Sequence, residues 1–161
     1  MLGGMTTAAP PPPLADLYAA DDVAWMDRMA ALARAGRAAE LDLPHLAEEL
    51  ELMASKERRE VKSRLEVLLC HRLKWDHQPA KRSRSWLQTI DRESRTLADT
   101  FADSRTLRNH AEDVLADAYS RGIRDAAYET GLPRTAFPAA CPYTLADLTA
   151  EFDPPAEDLP A

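Results

Sequence analysis

Cysteine is nearly missing from this chain: Cys70 and Cys141 are its two, and neither stands in a Cys-x-x-Cys pair. That excludes a disulfide framework and a thiolate zinc site, and makes a reducing cytoplasm the expected compartment. Cys70 falls within an apolar helical run, where a free cysteine acts as a small core residue. Glycine occurs only five times, aromatics make up 6%, and long β-branched runs are absent, which speaks against a sheet protein. No apolar run approaches the ~20 residues that cross a bilayer, so no membrane span is expected. Residues 1–13 place no positive charge before their apolar residues and do not read as a signal peptide. There is no Gly-rich phosphate loop and no His-Glu-x-x-His, and no glutamate has a histidine three positions on, so the di-iron bundle signature is lacking. No local motif singles out a nucleophilic serine or cysteine. The expected cofactor and metal content is therefore none. Asp42-x-x-His45 beside Glu48-Glu49 offers weak metal ligands, but it matches an acidic first helical turn equally well.

What the chain does have is Ala, Leu, Arg and Glu, side chains that lose little freedom in a helix. Four consecutive prolines close residues 1–13, which are expected to form a disordered leader. Asp21-Asp22 supply a cap and an acidic first turn for a helix ending at Gly36. Asp42, followed by Leu43-Pro44, opens a second helix that nothing interrupts until Gln78-Pro79. Ser83 or Ser85 caps a third, carrying Trp86, Ile90, Leu97 and Phe101. A fourth runs from about Arg105 to Thr130 and stops at Gly131. Thr144, with Asp147 three residues on, opens a last short helix. The fold expected is all-α: an antiparallel helical bundle of about four main helices, with one long central helix and a short C-terminal one. A single helical domain should cover 14–152, followed by a flexible tail over 153–161.

The net charge of −7 conceals an asymmetry. Between Lys56 and Arg95 stand twelve basic and six acidic residues, while the rest of the chain carries eight basic and twenty-one acidic. A basic middle with acidic flanks suits nucleic acid, or acidic helices packed beside a basic one.

Two groups of residues could carry chemistry. On the long helix, Leu46, Leu50, Met53, Val61, Leu65, Leu68 and Trp75 trace one apolar stripe. A turn of ~100° per residue sets Glu57, Arg64 and His71 near its middle, with Glu60 and Lys74 at one edge. Charges are rarely buried unpaired. These side chains form either an ion-pair network that fixes helix register, or a polar pocket in which His71 exchanges protons and Arg64 or Lys74 holds an anion. The second group is the loop Gln78 to Trp86. Arg82, Arg84 and Ser85 converge there on a helix N-terminus that favours anions, unless the arginines pair with acidic neighbours and a serine caps the helix.

Linked motifs run through nearly the whole chain. They include Leu17-Tyr18 before Asp21-Asp22 and Trp25, Leu41-Asp42-Leu43, Ser55-x-Glu57-Arg58-Arg59-Glu60, and His71-x-Leu73-Lys74-Trp75. Arg82-Ser83-x-Ser85-Trp86, Gly131-Leu132-Pro133 and Cys141-Pro142-Tyr143-Thr144-Leu145 follow. From about Leu17 to Leu148 they resemble the bacterial domain-of-unknown-function family twenty-nine. The resemblance implies a helical fold and carries over no catalytic residue. The expected function is a non-catalytic helical interaction module that self-associates or binds a protein partner. The alternatives are an anion-binding protein or enzyme with a pocket inside the bundle, and, less favoured, nucleic-acid binding through the basic middle.

Overall fold

The computed structural model describes residues 13–159. The leader expected over 1–13 therefore lies, apart from Pro13, outside the described residues, as do the last two residues of the expected tail. The chain is all-α, with no strand among the described residues and six helices: α1 (Leu14–Ala20), α2 (Asp22–Arg34), α3 (Leu43–His77), α4 (Arg84–Asp103), α5 (Arg105–Thr130) and α6 (Leu145–Thr149). Among the described residues, no helix is long and apolar enough to cross a membrane.

The ends of these helices follow from local chemistry. Asp21 accepts the Ala24 amide to start α2, and Gly36 supplies a φ of +68° just past its end. The Ser83 side chain accepts the Trp86 amide at the start of α4, and Ser104 accepts Leu107 at the start of α5. Gly131, at φ +73°, stops α5, a conformation that only glycine adopts without steric cost. Thr144 and Asp147 form a reciprocal capping box on α6. Helix α1 is an addition to the expected set. Its Leu14, Leu17 and Tyr18 share one face, but seven residues are too few for a periodic signal.

By its packing the chain falls into two compact units, residues 1–54 and 55–161. In the first, Trp25, Met29 and Leu32 of α2 are buried among Leu14, Leu17, Tyr18, Leu41 and Leu46. Polar groups tie the start of α3 to this core. The Trp25 indole donates to Asp42 at 3.3 Å, His45 Nδ1 meets the same carboxylate oxygen at 2.7 Å, and the Tyr18 hydroxyl donates to Glu49 at 2.9 Å. Leu46 is the last side chain of α3 that this cluster takes in.

In the second unit, Val61, Leu65, Leu68, Leu69, Leu73 and Trp75 of α3 share a core with Ile90 and Leu97 of α4. Helix α5 contributes Ala111, Ala118, Tyr119 and Ala126, and the segment after it adds Phe137, Leu145 and Leu148. Burying one such leucine contributes about 1.5–3 kcal/mol. Small residues let α5 approach α3 closely. A Cβ at Gly122 would sit 3.0 Å from the Leu69 Cβ and 3.3 Å from the Cys70 amide nitrogen. Beyond α5, the Tyr119 hydroxyl donates to the Pro138 carbonyl at 2.7 Å, and Tyr143 donates to Asp76. The Arg72 guanidinium lies over the rings of Tyr143 and Phe152, at 4.9 and 4.4 Å.

The stripe expected on α3 is buried in part only. Val61, Leu65, Leu68 and Trp75 are in the core, but Leu50 and Met53 are 58% and 61% exposed. Residues 55–60 are all exposed. Periodicity locates a face on a helix; whether another element covers that face depends on where the neighbours end.

Candidate functional site

The five residues singled out on α3 do not form one site. Glu57 lies in the bare stretch of the helix and faces water. That corrects its expected place in a buried stripe: residues 55–60 are exposed, so among the described residues none covers α3 at that level. Glu60 is also exposed, but Arg64 Nη2 donates to its Oε1 at 2.7 Å. Arg64 Nη1 reaches Glu93 Oε2 of α4 at 2.9 Å. Glu93 is buried, and Arg92 Nη2 meets its other oxygen at 2.8 Å. Glu60, Arg64, Glu93 and Arg92 thus make a continuous ion-pair chain.

Its geometry decides what it can do. An open hollow of about 290 Å³ is lined by Glu60, Ser63, Arg64, Val67 and Glu93. Three of the five Arg64 N–H groups are committed, Nε and Nη2 to Glu60 and Nη1 to Glu93, so its charge is already paired within the chain. The residue that sequence reasoning missed is Glu93. Its signal was available, because Glu93 interrupts the row Trp86, Ile90, Leu97 and Phe101 just as Arg64 interrupts that of α3.

His71 and Lys74 belong to other surroundings. The His71 ring is half-buried and donates from Nδ1 to the Val67 carbonyl at 2.9 Å. Burial holds its pKa below the ordinary value, more than the Val67 bond raises it, and the Lys74 charge adds to the lowering. Lys74 is buried, pairs with Glu129 of α5 and lies 4.4 Å above the centre of the Trp86 ring. The Cys70 thiol, 3.9 Å from the same Glu129, is pushed up to about 12, first by burial and then by that carboxylate. A thiol so placed is a poor nucleophile at neutral pH.

His71 has a consequence for stability. A base whose folded pKa is depressed takes up its proton in the unfolded chain first. Its contribution is therefore complete above about pH 6.5 and is lost as pH falls below that value. Thermal melts between pH 7 and 5 should show the midpoint falling with acid, with about one proton at most taken up on unfolding. His71→Gln should flatten that slope; equal slopes in the two proteins would refute the assignment.

The loop before α4 is also internally engaged. Arg82 donates from Nε to the Trp75 carbonyl at 3.1 Å, stacks 5.1 Å from the Trp75 ring centre and pairs with Asp158. Ser83 caps α4, and its hydroxyl lies 2.9 Å from that of Ser85. Arg84 is exposed and lines a shallow hollow of about 270 Å³ with Leu87, Gln88 and Leu159. Of the expected anion-binding trio, Arg82 is committed to the fold, while Arg84 and Ser85 remain at the surface. Asp42 and His45 serve the first unit's polar network described above. Asp76 accepts from Tyr143, and His77 donates to the Leu73 carbonyl at 3.0 Å.

The first unit also exposes apolar side chains. Among the described residues, Val23, Met26, Leu43, Leu50, Leu52 and Met53 of the first unit are exposed large hydrophobic side chains. Leu43, Leu50 and Met53 follow one another on a single row of α3.

A family model described as "Domain of unknown function DUF29" matches residues 17–152. Neither a curated protein nor a solved structure matches the chain.

Proposed function

The chain belongs to the DUF29 family, and from its residues we propose that it is a non-catalytic helical interaction module that docks protein through the exposed apolar face of residues 43–53. The exposure of Leu43, Leu50 and Met53, at 60%, 58% and 61%, carries this reading. Full burial of such a side chain contributes about 1.5–3 kcal/mol, and these three forgo roughly the exposed part of it, which a docking surface recovers on binding. The polar candidates support the same reading by their engagement. Arg64, Lys74 and Arg82 are each held by a carboxylate of the chain itself.

The test is a photo-crosslinking residue in place of Leu50, with illumination in growing cells. One or a few discrete adducts are expected, and none from a control at exposed Glu112. No adduct at position 50, or the same ladder from both positions, would end the reading.

A further inference from the structure

Three hydroxyls within α4 donate to the carbonyl four residues back: Thr89 to Ser85, Thr96 to Arg92 and Thr100 to Thr96, at 2.9, 2.9 and 2.8 Å. Ser94 of the same helix does not. The residue is 3% exposed, and its Oγ is buried with no hydrogen-bond partner. A hydroxyl cut off from water without a partner is unfavourable, and a ligand that bonds to it removes the penalty. Ser94 borders an open hollow of about 310 Å³ between α4 and the residues at the end of α6. Phe152, which forms part of the opposite wall, is fixed by the Trp75 ring at 5.6 Å and the Arg72 guanidinium at 4.4 Å. The hollow shares no residue with the α3 face.

Charge gives the class of ligand. Asp91, Asp99 and Glu151 line the same hollow against one cation, Arg95. Arg95 donates from Nε to Asp91 at 3.1 Å, and its pKa is raised by those hydrogen bonds first and by the fields of Glu151 and Asp99 after them. Among the described residues, neither Asp99 nor Glu151 enters an ion pair. Three carboxylates against one guanidinium leave the hollow negative, which favours a cation. The charge is dispersed: among the described residues, no three histidine, cysteine or carboxylate side chains are placed to hold a metal ion. Asp91 and Asp99, eight residues apart on one helix, are separated by about 12 Å along its axis. Ala98, Ala150 and Phe152 add apolar surface to the lining. A single ion cannot answer carboxylates so far apart, but ammonium groups joined by methylenes can. We infer that this hollow binds an aliphatic polyamine, with ammonium groups at Asp99 and Glu151, an N–H donated to Ser94 Oγ, and methylenes against the alanines and Phe152. Arg95 is the chain's own cation in the site and competes with the ligand.

Calorimetric titration of the full chain with spermidine, at low ionic strength, tests this. One saturable site is expected, with butylamine much weaker and magnesium ion no competitor at equal concentration. Ser94→Ala should weaken spermidine binding about tenfold, the worth of one hydrogen bond to a charged group. Its melting temperature should be unchanged or raised, because the hydroxyl removed has no partner. Asp99→Asn and Glu151→Gln, both at exposed positions, should each weaken binding about two- to fivefold. Arg95→Ala removes the competing cation and should tighten binding by about the same factor. Arg124→Ala makes the same change in net charge at an exposed position outside the hollow, and should leave the affinity as it is. Equal gains from Arg95→Ala and Arg124→Ala would overturn the inference, since the ligand would then answer to net charge alone. So would the absence of saturable binding, displacement of spermidine by magnesium ion at equal concentration, or full affinity in Ser94→Ala.

Discussion

Arg64→Ala should destabilise the protein by about 2–4 kcal/mol, while Glu57→Ala, seven residues earlier on the same helix, should change stability by no more than about 0.5 kcal/mol. The two residues look equivalent in the sequence, so the contrast is diagnostic. Glu93 is the reason for it. Its side chain is 6% exposed and takes one arginine on each oxygen, with Arg64 31% and Arg92 66% exposed. Removing Arg64 leaves one oxygen of a buried carboxylate without its donor, and the remaining partner is the one better screened by water. For a chain of this size the loss corresponds to a fall in melting temperature of very roughly 5–15 °C. Glu93→Ala should cost less, because Arg64 keeps Glu60 and access to solvent. The double variant should then be no less stable than Arg64→Ala alone, which gives a coupling term that adding two independent losses would not. Equal melting temperatures for Arg64→Ala and Glu57→Ala would mean that Glu93 does not depend on Arg64.

The Arg64–Glu57 contrast also marks how far the sequence could be read. Helix limits were legible because they are set within a few residues of themselves: Asp21, Ser83, Gly131 and the Thr144–Asp147 box each act on their own turn. The identity of α3's apolar row was legible for the same reason. Its coverage was not. Leu65 and Leu50 have the same chemistry and compatible spacing, yet one is fully buried and the other mostly in water. The difference lies in which other helices reach that level of α3, a long-range matter. Partners were harder still. Lys74 meets Glu129 across 55 residues and Arg64 meets Glu93 across 29, separations at which spacing holds no information. Glu93 alone could have been flagged, as a charge inside the apolar row of α4.

The engagement of these charges bears on function as well as on stability. Arg64, Lys74 and Arg82 are each paired within the chain, with Glu60 and Glu93, with Glu129, and with Asp158, so the fold draws on all three. Among the described residues, Arg72 Nε and Ser94 Oγ are buried without a hydrogen-bond partner, and Leu43, Leu50 and Met53 of α3 are exposed.

Glu129→Ala should be the second large loss, at about 2–3 kcal/mol near neutral pH, and it separates a buried charge from a buried side chain. The Lys74 side chain is 6% exposed, while Glu129 is 45% exposed, so the carboxylate reaches in from the surface to meet the ammonium. Without it, Lys74 keeps only the face of Trp86 at 4.4 Å, worth roughly 0.5–2 kcal/mol and no substitute for a counter-ion. Lys74→Met removes the charge while keeping most of the stem that packs beside Trp86. It should cost less than about 1.5 kcal/mol, because replacing a buried charge by an apolar side chain of similar volume is close to neutral. In the Lys74→Met background, Glu129→Ala should then be almost silent, since no buried charge is left to strand. Chemical denaturation of the four proteins, with unchanged denaturant slopes as the check on comparable unfolding, reads all three differences. If Glu129→Ala costs as much with Met at position 74 as with Lys, the glutamate acts through its contact with Cys70 or through the end of α5, and Lys74 is stabilised by the ring and the core alone.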